Sequence, residues 1–239
     1  MSKYLIIGAS GDIGSAITKS LIQKGHDLII HHNQTPIEQL QSQFKSMNGQ
    51  QSIQYIKIDL SKGMEDNPFN HALDDIDGVI YVAGTSSFQM VQDITSTLMY
   101  EQFHIHYFNL VKIIQFSMSG LLQSENGRII VISSIWGETG ASLESLYSSM
   151  KSAQIGLVKS LAKELALSNI TVNAITPGLV DGHMTNALNE EDVKALLEEI
   201  PQGQLIQPEK IAHTVQYLLH PNASNVTGTI QRVNAGWLI

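Results

Sequence analysis

Short apolar runs alternate with stretches of helical spacing along most of the chain. Tyr4 to Gly8 reads as a buried strand, and Ile13 to Lys24 as a helix with Gly25 placed as its stop. Leu28 to Ile30 predicts a second strand and Pro36 to Met47 a second helix. Ile53 to Ile58 alternates apolar and polar positions, a third strand, and Val79 to Val82 is a fourth. Helical text fills Ile94 to Leu122, with one break expected. Arg128 to Ile132 is the fifth strand. Leu146 to Leu167 carries Leu157, Leu161 and Leu165 at helical spacing. Ile170 to Ile175 is the sixth strand, and Gly228 to Val233 closes the set.

Strands and helices in alternation imply parallel pairing through right-handed crossovers. Continuous apolar strands imply a sheet covered on both faces. The predicted fold is α/β: a single-domain, Rossmann-type doubly wound parallel sheet of about seven strands with helices on both faces. No Pro/Gly/Ser linker or repeat divides residues 1–239. In such a sheet ligands bind beyond the carboxyl ends of the strands, near the reversal of strand order.

Composition narrows the function. Hydrophobic residues make up 43% and charged residues 15% of 239, which suits a large core. The absence of cysteine excludes disulfides, thiol nucleophiles and thiolate metal sites. Fourteen basic against 22 acidic residues leave a charge of −8, and Arg128 and Arg232 are the only arginines. That balance argues against nucleic acid or an anionic membrane as partner. No apolar run reaches the ~18 residues of a membrane span. The chain enters an apolar strand without a charged leader, so the cytoplasm is the expected location.

Gly8-Ala9-Ser10-Gly11-Asp12-Ile13-Gly14 joins the first strand to the first helix. Glycines there permit a tight turn and let backbone N–H groups approach a pyrophosphate. Asp59 follows the third strand, where a carboxylate can accept from an adenine amino group. Tyr147 and Lys151, four apart on a helix, share a face, and Ser134 lies just past the fifth strand. An ammonium beside a phenol, and the positive charge of an oxidised nicotinamide, both favour the phenolate and bring its pKa of ~10 toward neutrality. Such a phenol can give a proton to a carbonyl oxygen as hydride arrives at the carbon, with Ser134 stabilising the developing charge.

These segments together resemble the short-chain dehydrogenase/reductase family over essentially the whole chain. The glycine turn is similar to its TGxxxGxG motif, Asp59-Leu60 to its adenine-site dipeptide and Tyr147-Ser-Ser-Met-Lys151 to its YxxxK. Tyr81-Val-Ala83-Gly84 keeps the second half of its NNAG motif, and Asn173 to Gly178 resembles its NxxxPG segment. The resemblance implies cofactor contacts from Gly8, Ser10, Gly11, Asp12, Ile13, Gly14, Asp59, Leu60, Ala83, Gly84, Tyr147, Lys151, Pro177, Gly178 and Val180. It places His106, or else Asn109, where the family carries an asparagine that holds a relay water. It also implies a homotetramer or dimer packed through the helix before the fifth strand and the helix bearing Tyr147. A substrate flap is expected around 182–205, centred on Leu188 to Ile200. Two departures stand out: Asp12 aligns with a family glycine, and Gly182 with a threonine that contacts the nicotinamide.

The second strand ends in His31-His32-Asn33, without a carboxylate to hold a ribose 2′-OH. NADPH is therefore expected ahead of NADH, with His31 or Asn33 as the phosphate contact. Adjacent strand residues point to opposite faces, so His31 and His32 cannot chelate one metal ion. Within the family, "SSIWGETGAS" and "LYSSMKSAQ" look most like the reductases that act on a 5-aminopentanone carried by a lysine of elongation factor P. The 3-oxoacyl-acyl-carrier-protein reductases are the alternative, and a non-catalytic dinucleotide sensor is the alternative of another class. The aminopentanone ends in an ammonium, for which Glu138, then Asp181, is the expected carboxylate partner; a small ketone is the other expected substrate.

Overall fold

The structure, a computed structural model, describes residues 1–45 and 51–239. One parallel sheet runs in the order β3-β2-β1-β4-β5-β6-β7. Its strands are β1 (Lys3–Ile7), β2 (Asp27–His32), β3 (Ile53–Lys57), β4 (Gly78–Tyr81), β5 (Gly127–Ile132), β6 (Ile170–Pro177) and β7 (Ile230–Val233). The helices are α1 (Asp12–Gln23), α2 (Ile37–Gln43), α3 (Ser96–Phe103), α4 (Asn109–Gln123), α5 (Trp136–Thr139), α6 (Ser145–Glu164), α7 (His183–Asn186), α8 (Glu190–Glu199) and α9 (Pro208–Leu219). Every predicted strand is present, with ends displaced by up to two residues. The predicted end of the second helix at Met47 lies outside the described residues.

Neighbouring strand residues feed opposite layers, as the two-residue period of a strand requires. Ile6, Ile30, Ile80 and Ile130 pack with Ile17 and Leu21 of α1 and Ile211 and Val215 of α9. Leu5, Ile7, Ile29, Val79 and Ile129 face the other way, against Leu110 and Ile113 of α4 and Val158 of α6. Burial on both faces explains the unbroken apolar runs. The order reverses between β1 and β4, both of which end in the same crevice. The break expected in the long helical stretch is a π-helical turn, His104–Phe108, between α3 and α4. Tyr81 at the end of β4 donates its hydroxyl hydrogen to the Ile105 carbonyl and anchors that turn. Such turns often re-aim a side chain at a functional site, and this one carries His106.

Candidate active site

A crevice of about 1270 Å³ opens along the carboxyl ends of β1, β2, β4, β5 and β6. The turn at its floor is held by exact packing of small residues. Gly8 has φ 91°, and a Cβ there would meet the Ala83 backbone N at 2.7 Å. A Cβ at Gly14 would sit 2.9 Å from Ala9 Cα and closer still to the Gly8 carbonyl oxygen. Gly11 has only the Gly8 carbonyl oxygen nearby, at 3.7 Å, so any side chain there would fill the cradle itself. An open backbone cradle at the N-terminus of α1 fits a dinucleotide pyrophosphate. Gly14→Ala should accordingly weaken binding of a reduced nicotinamide dinucleotide by about tenfold or more, at an overpacking cost of about 1–3 kcal/mol, read by fluorescence titration.

His31 lines the crevice, but its ring is fully committed. Nδ1 accepts from the Gly8 N–H at 3.1 Å, and Nε2 donates to the Ile58 carbonyl at 3.0 Å. One neutral tautomer satisfies both bonds, and burial pushes its pKa down to about 4. The expected phosphate contact from His31 is thus corrected: its ring positions the glycine turn and carries no charge. Asn33, Gln34 and Thr35 remain as the polar lining beyond β2. Asp59 lies two residues past β3, and its Oδ1 accepts from the Ser61 N–H and hydroxyl. Leu60, Ala83, Gly84, Pro177, Gly178 and Val180 all line the crevice.

The two departures at Asp12 and Gly182 form one feature. Asp12 does not cap its own helix. Its Oδ2 accepts from the His183 N–H at 2.7 Å, and its Oδ1 meets His183 Nδ1 at 2.8 Å. A Cβ at Gly182 would sit 2.7 Å from Asp12 Cγ. The carboxylate that replaces a glycine therefore occupies space made by the residue that replaces a threonine. It ties the glycine turn to α7, at the start of the expected flap.

Ser134 and Tyr147 face the crevice where β5 ends, and Lys151 and His106 stand behind them. Lys151 is 3% exposed and donates from Nζ to the Ile132 carbonyl at 2.9 Å. Gly137 lets α5 close on α6, since a Cβ there would meet the Lys151 carbonyl carbon at 2.8 Å. Lys151 Nζ lies 5.6 Å from the Tyr147 ring centroid. Burial pushes the phenol up to about 12, partly offset by a hydrogen bond with Ser134 and reinforced by the charge of Glu144. Burial likewise pushes Lys151 down to about 7. Without a bound nicotinamide, desolvation therefore dominates both groups and the phenol stays protonated. A phenol held protonated is the donor form that reduction of a carbonyl needs.

His106 is fully buried, edge-on to Tyr147 with ring centroids 5.5 Å apart. Its Nε2 lies 3.0 Å from the Thr85 carbonyl and 3.3 Å from the Thr85 N–H, and its buried Nδ1 has no partner among the described residues. Burial, then the Lys151 charge, pushes its pKa down to about 3. A Cβ at Gly84 would be 3.4 Å from His106 Nδ1 and 3.3 Å from Lys151 Nζ, so both face the same small space. Asn109 is elsewhere: it binds Met64 N–H and the Leu60 and Lys62 carbonyls and pins the segment after β3.

Neither expected substrate carboxylate points into the crevice. Glu138 accepts from Thr176 at 2.8 Å and from both Arg232 Nε and Nη2, at 3.0 and 2.7 Å. Burial alone would raise its pKa, but the bonds from Arg232 and Thr176 win and hold it low. Asp181 accepts from Gln207 Nε2 at 3.1 Å. Both assignments are corrected, because each carboxylate already has a donor outside the crevice. Sequence reading overlooked Glu144, which does line it. The available signal was its place three residues before Tyr147.

The chain matches the short chain dehydrogenase family model over residues 3–193 and belongs to that family. It is an NAD(P)-dependent oxidoreductase of that class. It is 37% identical over 236 residues to the uncharacterized oxidoreductase YmfI of Bacillus subtilis, covering 98% of this chain and 97% of the relative. It is 32% identical over 235 residues to the 3-oxoacyl-[acyl-carrier-protein] reductase FabG of Rickettsia conorii, covering 98% and 96%. The fold superposes on that of YwfH, an NADPH-dependent reductase involved in bacilysin biosynthesis, with TM-score 0.89, 21% identity and coverage of 99% and 98%. No helix among the described residues is long and apolar enough to cross a membrane.

Proposed function

We propose that the protein reduces a ketone with NADPH, NADH serving less well, and that the ketone is the 5-aminopentanone on a lysine of elongation factor P. The observation that carries this reading is the charge of the crevice as a whole, with Glu144 beside Tyr147. Asp12, Asp59, Glu101, Glu144 and Asp192 line it, and no lysine or arginine does among the described residues. Such a lining suits a cationic substrate and repels an acidic carrier.

The glycine turn would hold the pyrophosphate, Asn33 to Thr35 the adenosine ribose phosphate, Asp59 and Leu60 the adenine, and Tyr147 and Lys151 the nicotinamide ribose. The bound cofactor supplies hydride to the carbonyl carbon. Ser134 Oγ donates to the carbonyl oxygen and stabilises the charge that develops there. Tyr147 passes its proton to that oxygen. Lys151, at the edge of its own titration near neutrality, stabilises the phenolate left behind. His106 Nδ1 accepts from a relay water held between it and Lys151. The 182–205 segment closes over the substrate, and copies of the chain pair through α4 and α6 into a tetramer or dimer, in the cytoplasm.

The names of the relatives favour a second reading, reduction of a 3-oxoacyl-acyl-carrier protein. The loops before β5 and β6, Ser124-Glu125-Asn126 and Leu167-Ser168-Asn169, offer such a carrier no basic residue. The non-catalytic sensor is the third reading. NADPH oxidation with aminopentanone-bearing elongation factor P should exceed that with an acetoacetyl thioester by at least about tenfold in kcat/KM. The reverse preference would select the acyl-carrier reading, and cofactor binding without turnover on either would select the sensor.

A further inference from the structure

Glu144 is 5% exposed, its carboxylate opens onto the crevice, and no side-chain hydrogen bond or ion pair holds it among the described residues. A carboxylate desolvated on its protein side and unpaired on its open side favours a cation that can reach it. The other acidic residues of the crevice are accounted for. Asp12 holds His183, Asp59 holds Ser61, Asp192 accepts from Asn189, and Glu101 is exposed to solvent. Among the described residues, Glu144 alone lines the crevice largely shielded by protein and without a side-chain partner.

Its aim is built. The turn before α6 passes through Leu143 at φ 64°, an unfavourable backbone conformation for a branched residue. The Leu143 carbonyl is held by the Gln89 N–H at 2.8 Å. Glu144 immediately precedes α6 and stands one turn before Tyr147, a Cβ separation of about 5–6 Å. The carboxylate and the phenol thus share one wall of the crevice.

We infer that Glu144 is the specificity-determining group for a cationic ketone, receiving the substrate's ammonium while Tyr147 and Ser134 receive its carbonyl oxygen. This rests on the ketone-reductase reading and replaces Glu138 and Asp181 in it. The arrangement has a second consequence. A carboxylate so close to Tyr147 opposes loss of the phenol's proton, and burial leaves that carboxylate with a raised affinity for protons of its own. A substrate cation seated on Glu144 cancels that opposition. A neutral ketone does not, so discrimination appears in the proton-transfer step as well as in binding.

The test compares methyl ketones bearing a trimethylammonium group, which keeps its charge and cannot cyclise onto the carbonyl, with their neutral tert-butyl isosteres, over a series of spacer lengths. At its best spacer the native chain should favour the cation by about tenfold or more in kcat/KM, as expected for a charge-assisted contact. Glu144→Gln should bring that ratio close to one, losing rate on the cation and gaining on the neutral isostere. NADPH titration of the variant establishes that the site is intact. A native chain that reduces both series equally, or a variant that loses equally on both, overturns the assignment while leaving the reductase reading standing. Reduction of neither series with NADPH or NADH overturns the reductase reading and this inference together.

Discussion

Tyr147→Phe should bind the nicotinamide cofactor as tightly as the native chain and should lose reduction of the proposed ketone by about 10²–10⁴-fold, the range a positioned proton donor supplies. The substitution removes one oxygen from a side chain that is 9% exposed. The ring keeps its edge contact with His106 and its place beside Lys151 Nζ, so the wall of the crevice is preserved. What disappears is the hydroxyl that hydrogen-bonds Ser134. Cofactor titration and single-turnover reduction on the same preparation separate the two effects. Reduction at more than a tenth of the native rate would show that the carbonyl oxygen takes its proton from another group.

The parts of this site legible in the sequence are those written in local spacing. The glycine turn must follow β1 because β1 ends at the strand reversal, and Tyr147 and Lys151 must share a face because four residues make about one helical turn. Side-chain direction was less legible, because partners far along the chain decide it. Glu138 turns to Arg232, which arrives on the last strand. Asp12 turns to His183 across 171 residues. His31 reads as a phosphate contact at a strand end until its ring is seen between the Gly8 N–H and the Ile58 carbonyl. The resting pKa of Tyr147 is hidden for a related reason. Spacing shows that a cation is near but not that both groups are buried, and burial sets the net direction.

The same burial makes the fold sensitive to acid. His31 and His106 titrate at about 4 and about 3 in the folded chain, against 6.5 in the unfolded one. Below pH 6.5 the unfolded chain takes up protons that the folded chain refuses. Both groups therefore contribute stability that is present above that pH and lost as pH falls toward their folded values. Each such proton costs about 1.4 kcal/mol per pH unit. Glu144 acts in the opposite sense, since its pKa is raised from 4.5 to about 7. The folded chain holds a proton there that the unfolded chain releases, which offsets about one histidine between those values. Below pH 4.5 that compensation is complete and the two histidines act unopposed, so stability should fall most steeply there. Urea unfolding across pH 7 to 4 measures the slope. His106→Asn removes a titrating group while keeping a side chain that can bond Thr85. It should reduce the acid slope by about one proton, or about 1.4 kcal/mol per pH unit, below pH 6.5. An unchanged slope would mean that His106 is protonated in the folded state, and would remove its ring nitrogen as an acceptor facing Lys151.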